Sequence, residues 1–123
     1  MSVLIVDGAN VVGATPNGWW RDRAGAAAKL HHRLLVADTS YEQIILVLEG
    51  KAKAGIPRGV DGHLHTVHAA RDGDSEILAQ TKQVVSTGEQ VVVITADRAL
   101  QAQVEYAGAR TMSPGWLLAL LDS

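Results

Sequence analysis

Residues 3–13 of the chain read VLIVDGANVVG and place an acid directly after an unbroken apolar run. The run at residues 3–6 consists of β-branched and aliphatic side chains, which is typical of a strand covered on both faces. Asp7 follows the run, and the Gly-Ala-Asn segment after it turns the chain. Asp7 is either an ordinary turn residue or part of a site. A site would require other strands to end in acids at the same edge of the sheet.

Strand-like and helix-like segments alternate along the rest of the chain. Residues 44–48 and 91–95 are apolar runs of the buried-strand type, and residues 64–68 form a more polar run that suits a sheet edge. A short fifth strand is predicted at residues 110–112. Amphipathic helical spacing separates the strands, as at residues 75–87. This alternation predicts βαβ units, and therefore a parallel sheet with helices on both faces.

The composition of the 123-residue chain limits the classes of protein to which it can belong. Its length suits one domain, residues 1–123, with a hydrophobic core of its own. The absence of cysteine excludes disulfides and thiolate metal sites. No apolar run approaches the roughly 18 residues of a membrane span, and no signal peptide is apparent, so we expect a soluble cytoplasmic protein without a membrane partner. Because the net charge is −2, a nucleic-acid partner would have to meet a local basic patch.

Acids stand at the ends of several predicted strands. Asp7 follows the first strand, Glu49 the second and Asp97 the fourth. Asp74 lies between the third strand and the helix after it, hence at the same edge of a parallel sheet, where ligands bind. Unpaired carboxylates in such a cluster would repel each other, and a divalent cation would remove the repulsion. Since oxygen ligands without cysteine favour Mg²⁺ or Mn²⁺ over zinc, the sequence predicts a site for one of these ions.

Each of these acids also has a structural interpretation. An Asp-Gly pair after a strand is a common turn, which would account for Asp7 alone. Asp74 and Asp97 each precede a predicted helix, where an acid can cap free N–H groups. Glu49 could be a solvated residue at a strand end. Only the occurrence of all four acids at one edge favours a shared metal site over four separate structural roles.

Four segments of the chain resemble, in their order and spacing, the NYN branch of the PIN-like nucleases: VLIVDGANVVG, ILVLEG, DGDSEI and VVVITADR. The segment GWWRDRAG is similar to small stand-alone bacterial members of that group. The resemblance covers essentially the whole chain, and its most specific elements are DGAN and TADR. It implies a three-layer α/β/α fold, an acidic site dependent on Mg²⁺ or Mn²⁺, and RNA as the usual substrate. With the strands assigned above, we expect a five-stranded parallel sheet in the order 3-2-1-4-5.

The resemblance also implies roles for individual residues. Asp7 matches the acid of the family's first strand, Asp74 the acid of its central helix and Asp97 the acid of its fourth strand. Glu49 stands where relatives commonly carry aspartate, and this departure gives it a weaker, supporting role. We expect Asp7, Asp74 and Asp97 to be catalytic and, together with Glu49, to bind the metal. Neighbouring positions that are often acidic in the family are mostly not acidic here, which leaves the number of metal ions open.

RNA phosphates would need polar and positively charged groups near the acidic edge. Asn10, one turn past Asp7, could orient a phosphate or could hydrogen-bond its own backbone. Several cations fall in loops or first helical turns near the edge, including Lys51, Lys53 and Arg58 in residues 50–62, the longest irregular segment. Trp19 and Trp20 could stack on bases, although at least one of them is expected to anchor the core. The predicted substrate-binding residues are Asn10, Arg21, Lys51, Lys53 and Arg98.

The sequence leaves more than one function open. The enzyme hypothesis is a metal-dependent ribonuclease, as a monomer or homodimer, including the toxin of a toxin–antitoxin pair with an inhibitory protein partner. The alternative is a non-catalytic RNA-binding module that kept the fold and only part of the site. Nucleotide binding is disfavoured, because residues 8–13 lack the Lys-Ser/Thr of a P-loop and no G-x-G-x-x-G segment follows the first strand. Cleavage of RNA that depends on a divalent ion would separate the two leading hypotheses.

Overall fold

A computed structural model of the chain describes residues 2–15 and 18–122, without the side chain of Trp19. In these ranges the strands are β1 (Ser2–Asp7), β2 (Gln43–Leu48), β3 (Gly59–Asp61), β4 (Leu64–His68), β5 (Gln90–Ile94) and β6 (Arg110–Met112). The α-helices are α1 (Gly8–Gly13), α2 (Arg23–Val36), α3 (Gly73–Ser86), α4 (Arg98–Tyr106) and α5 (Pro114–Asp122). Two short 3₁₀ helices, Trp19–Arg21 and Gly50–Gly55, lie in the connections. None of the helices described is long and apolar enough to cross a membrane.

The strands of the described residues form one mixed sheet of six strands, in the order β3-β4-β2-β1-β5-β6. β1 lies near the centre and pairs in parallel with β2 and β5, while β4 and β6 extend the parallel part on either side. β3 pairs antiparallel with β4 and forms one edge. The five predicted strands are present in the predicted relative order. The prediction of a purely parallel five-stranded sheet is wrong, and so is the prediction of β4 as an edge strand.

The additional strand β3 lies in the segment that we predicted to be irregular, residues 50–62. Its three residues are all exposed, so no alternation of apolar and polar side chains marks it in the sequence. The 3₁₀ helix Gly50–Gly55 precedes it in the same segment. The turn predicted after Asp7 is also wrong, because the chain enters α1 directly at Gly8. Both differences arise in stretches too short for helical or strand periodicity to show.

Helices cover both faces of the sheet, which gives the fold three layers. Successive residues of β1 point to opposite faces. Leu4 and Val6 belong to the core under α1, α2 and α5, whereas Val3 and Ile5 belong to the core under α3 and α4. The helices contribute Leu30, Leu34 and Leu117 to the first core, and Ile77, Leu100 and Val104 to the second.

Gly8 begins α1 at a point where the helix passes very close to β2. A Cβ at this position would lie 2.7 Å from the backbone oxygen of Val47 and 2.9 Å from Cδ2 of Leu48. A backbone oxygen in a sheet cannot move aside without disturbing its ladder. Glycine therefore allows α1 to start directly after Asp7, close against the neighbouring strand.

We predict that Gly8→Ala destabilises the protein by about 1–3 kcal/mol, because the added methyl group overpacks this contact. The free energy of unfolding can be measured by urea denaturation. Gly115→Ala is the matched control, since its Cβ would meet only Oγ of Ser113, at 3.8 Å. The control should be unchanged or slightly more stable, as alanine favours a helix over glycine. Equal stability of the two variants would contradict the close contact between α1 and β2.

Candidate active site

Asp7 is a buried carboxylate at the carboxyl end of β1, with only 3% of its surface exposed. Its Oδ1 accepts a hydrogen bond from the backbone N–H of Asn10 at 3.3 Å, so the side chain caps α1. Its Oδ2 accepts from Nδ2 of Asn10 at 2.8 Å and from the hydroxyl of Thr95 at 2.9 Å. Burial raises the pKa of Asp7, the hydrogen bonds from Thr95 and Asn10 lower it, and the charges of Glu49 and Asp97 raise it.

Thr95 and Asn10 connect the end of β1 to the loop between β5 and α4. Thr95 is fully buried, and its hydroxyl oxygen also accepts from the backbone N–H of Asp97 at 3.2 Å. The side-chain oxygen of Asn10 accepts from the backbone N–H of Ala96 at 3.0 Å. Sequence analysis did not single out Thr95, although a hydroxyl that closes an apolar strand was a visible signal. Asn10 braces Asp7 in this structure, and its role toward a substrate stays a prediction.

Asp97 lies at the same edge and caps α4, as its structural interpretation predicted. Its Oδ1 accepts from the backbone N–H of Leu100 at 3.1 Å, and this bond lowers the pKa of Asp97. Partial burial opposes this by raising the pKa, and the interaction with Asp74 lowers it by a smaller amount. The cap does not exclude a second role, because Asp97 also interacts electrostatically with Asp7 and Asp74.

Asp74 lies in the first turn of α3 and is not its cap. The helix begins at Gly73, two residues before the predicted start, and Asp72 caps it by accepting from the backbone N–H of Ser75 at 2.8 Å. Partial removal from solvent and the negative charge of Asp97 raise the pKa of Asp74 to about 6. By contrast, the hydrogen bond from Ser75 lowers the pKa of Asp72. The cap interpretation of Asp74 is therefore wrong, since Asp72 performs that function.

Glu49 follows β2 and is half-buried at the acidic edge. Its Oε2 accepts from the backbone N–H of Gly73 at 2.9 Å, which fixes the start of α3 beside Asp74. Glu49 also lines a cleft of about 430 Å³, here called the edge cleft, next to the first residues of α1. The residues that line the edge cleft are Gly8, Ala9, Val12, Arg23, Leu48, Glu49, Gly50, Ala52 and Arg71.

The predicted substrate-binding cations differ in their surroundings. Arg21, Lys51 and Arg98 are exposed to solvent. Lys53 is half-buried, and its Nζ donates to the carbonyl oxygen of Ala69 at 3.0 Å, which joins the 3₁₀ helix after β2 to the end of β4. Lys53 thus has a structural contact that the sequence did not reveal. The substrate role of all four residues stays a prediction.

Of the two adjacent tryptophans, Trp20 has a described side chain, and it lies at the surface. Trp20 is 58% exposed, and the guanidinium of Arg21 lies 6.0 Å from the centroid of its ring. This distance is at the outer limit of a cation–π contact. Trp20 is therefore not a core anchor, and the prediction that Trp19 could be one lies outside the described side chains.

The acidic edge offers the donor chemistry of a Mg²⁺ or Mn²⁺ site, but it is not preassembled. Its ligand atoms are carboxylate oxygens, which these hard cations prefer. Across residues 2–15 and 18–122, no group of three or more Asp, Glu, His or Cys side chains is arranged to hold a metal ion as it stands. In the positions seen here, the carboxylates of Asp7 and Asp97 face protein donors instead.

We predict that Asp74→Asn changes how the stability of the cation-free protein depends on pH. Since the pKa of Asp74 in the folded state is about 6, above the ordinary 3.8, the wild type loses stability as pH rises between these values. The variant lacks this loss, so its free energy of unfolding should improve relative to the wild type as pH rises from 4 to 7. Urea denaturation in EDTA at several pH values measures this.

Asp72→Asn is the matched control for this measurement, two residues away. Because the pKa of Asp72 is lowered in the folded state, its ionised carboxylate stabilises the wild type at pH values above the ordinary pKa of aspartate. This stabilisation is lost as the pH falls. Because Asp72 is ionised through most of the range from pH 4 to 7, the control should not improve relative to the wild type there, unlike Asp74→Asn. Two variants with the same pH trend would contradict the account of Asp74.

Comparison with known proteins agrees with this architecture. Residues 4–123 match the YacP-like NYN domain family. Rae1 (YacP) from Bacillus subtilis has a similar fold, with a TM-score of 0.82 and 21% identity over 99% of this chain and 74% of that one. A single-substitution mutant of Rae1 gives a TM-score of 0.78 and 20% identity, over 99% and 76% of the two chains. Curated protein sequences give no match. The resemblance seen in the sequence is thus confirmed: the chain belongs to the YacP-like NYN domain family, which is nuclease-like.

Proposed function

We propose that this protein is a ribonuclease that hydrolyses RNA phosphodiester bonds with Mg²⁺ or Mn²⁺ at the acidic edge of its sheet. The observation that carries the proposal is the electrostatic coupling of Asp7, Asp74 and Asp97, which come from three separate βα connections. Folding does not require these carboxylates to interact. Their interaction disfavours the charged form of Asp74, which costs stability at neutral pH. Membership of a nuclease-like family supports the same function.

Asp7, Asp74 and Asp97 are the proposed ligands of the cation, with Glu49 in a supporting role. Asp7 is held by three donors, so it would provide a fixed oxygen, whereas Asp74 is exposed and can turn toward an ion. The cation competes with a proton for Asp74, whose pKa is about 6. Binding should therefore strengthen as pH rises through 6, since metal ligands must be deprotonated.

A divalent cation at these residues would supply positive charge for the scissile phosphate and a lower pKa for the attacking water. The residues of the chain provide the positioning. Thr95 and Asn10 hold the carboxylate of Asp7 in place. Asp74 would bind the cation or position the attacking water. Phosphates on either side of the cut would contact the predicted cations Arg21, Lys51, Lys53 and Arg98, and Asn10.

The alternative function is a non-catalytic RNA-binding module. One observation favours it, namely that the described residues hold no preassembled metal-binding group. The cations at the edge would then bind RNA without cleavage. A homodimer, an inhibitory protein partner and a cytoplasmic location stay predictions under either function.

We predict that the purified protein cleaves single-stranded RNA with Mn²⁺ or Mg²⁺ and not with EDTA. Asp7→Asn and Asp97→Asn should each lower the cleavage rate by orders of magnitude, because each removes a charge that holds the cation. Gel analysis of a labelled RNA over time gives the rate, and circular dichroism shows whether each variant is folded.

Asp72→Asn is the control for the cleavage assay. Asparagine caps a helix as well as aspartate does, so this variant keeps the start of α3 and should cleave at the wild-type rate. A wild type that binds RNA without cutting it under either ion would contradict the nuclease and support the binding module.

A further inference from the structure

We propose that the edge cleft binds one nucleotide of a single-stranded RNA, with the base inside the cleft and its phosphate at Arg71. The inference rests on the proposed function for its substrate class and adds a subsite to it. A volume of about 430 Å³ falls within the range of small-ligand sites, about 300–1,000 Å³. The cleft includes Gly8 and Ala9, the two residues after Asp7. A nucleotide held there would lie beside the acids.

The inner wall of the edge cleft is apolar and well anchored. Leu48 is a buried residue of β2, and Val12 and Ala52 pack against the same hydrophobic core. Such a wall can contact the face of a base, and every base has an apolar face. Since these side chains pack in or against the core, the inner wall of the cleft is held in place by the fold.

The charged residues of the edge cleft suit a nucleotide phosphate. Arg71 provides a positive charge at the cleft, beside the negative charge of Glu49. Guanidinium groups bind phosphate oxygens in pairs, with good geometry. Arg71 is exposed in the connection between β4 and α3, and sequence analysis did not identify it.

Glu49 gives the cleft a preference among bases. A carboxylate only accepts hydrogen bonds, and its two oxygens together can accept several. The N–H of Gly73 occupies one site on Oε2 and leaves others for a ligand. Cytosine, adenine and guanine present an amino group that can donate to a carboxylate. Uracil has no amino group, and the carbonyl oxygens beside its one N–H would repel Glu49. The cleft should therefore favour a base with an amino group.

The test measures binding of cytidine 5′-monophosphate and uridine 5′-monophosphate to the full chain in EDTA, by NMR titration. In the wild type, the cytidine nucleotide should bind about tenfold more tightly than the uridine nucleotide. Arg71→Ala should weaken both by about tenfold, whereas Arg58→Ala, exposed but outside the cleft, should not. Ala52→Phe should fill the cleft and abolish binding, and Ala54→Phe is its control on the same 3₁₀ helix.

Two results would overturn the inference: no binding by the wild type at millimolar nucleotide, or Arg71→Ala equal to the wild type. If Ala52→Phe fails to fold, the Arg71→Ala comparison alone decides. The nucleotide titration needs no cleavage, so it separates this inference from the proposed function. Where the wild type cleaves RNA, Arg71→Ala should raise KM with little change in kcat. If Arg71→Ala cleaves RNA with an unchanged KM, the proposed nucleotide subsite is contradicted, while the proposed ribonuclease function stands.

Discussion

The buried carboxylate of Asp7 is the constraint on which the rest of the acidic edge depends. A charge withdrawn from water is costly unless donors surround it, and here Thr95 and Asn10 provide them. Thr95 follows β5 and Asn10 belongs to α1, so the two bonds join neighbouring βα connections. The same two side chains also accept from the backbone of Ala96 and Asp97. Holding Asp7 in place therefore also positions the loop that carries Asp97.

The acids of this edge divide into two kinds according to their pKa. Asp72 has a lowered pKa because it caps α3, and it stabilises the fold. Asp7 and Asp74 have raised pKa values, because burial or partial desolvation and neighbouring carboxylates disfavour their charged forms. Residues that cost stability at neutral pH are commonly retained for function. This contrast within a few residues of α3 is the physical basis for assigning Asp74, and not Asp72, to the site.

Much of this could be predicted from the sequence, because the strands are apolar runs and the acids follow them. The limits have physical causes. β3 is short and exposed, so no pattern marked it. The segment DGDSEI contains two candidate caps, Asp72 and Asp74, and only the backbone geometry shows which one caps α3. The bond from Lys53 to Ala69 joins residues far apart in the chain, and local sequence does not reveal such contacts.

The most direct test of the central claim is a calorimetric titration of the protein with Mn²⁺ at a pH above 7, where Asp74 is ionised. The account predicts that the wild type binds Mn²⁺ and that Asp74→Asn weakens this binding by about tenfold or more. Asp72→Asn should bind as the wild type does, because its carboxylate belongs to the helix cap. A wild type that does not bind Mn²⁺, or an equal loss in both variants, would contradict a cation site built from Asp7, Asp74 and Asp97.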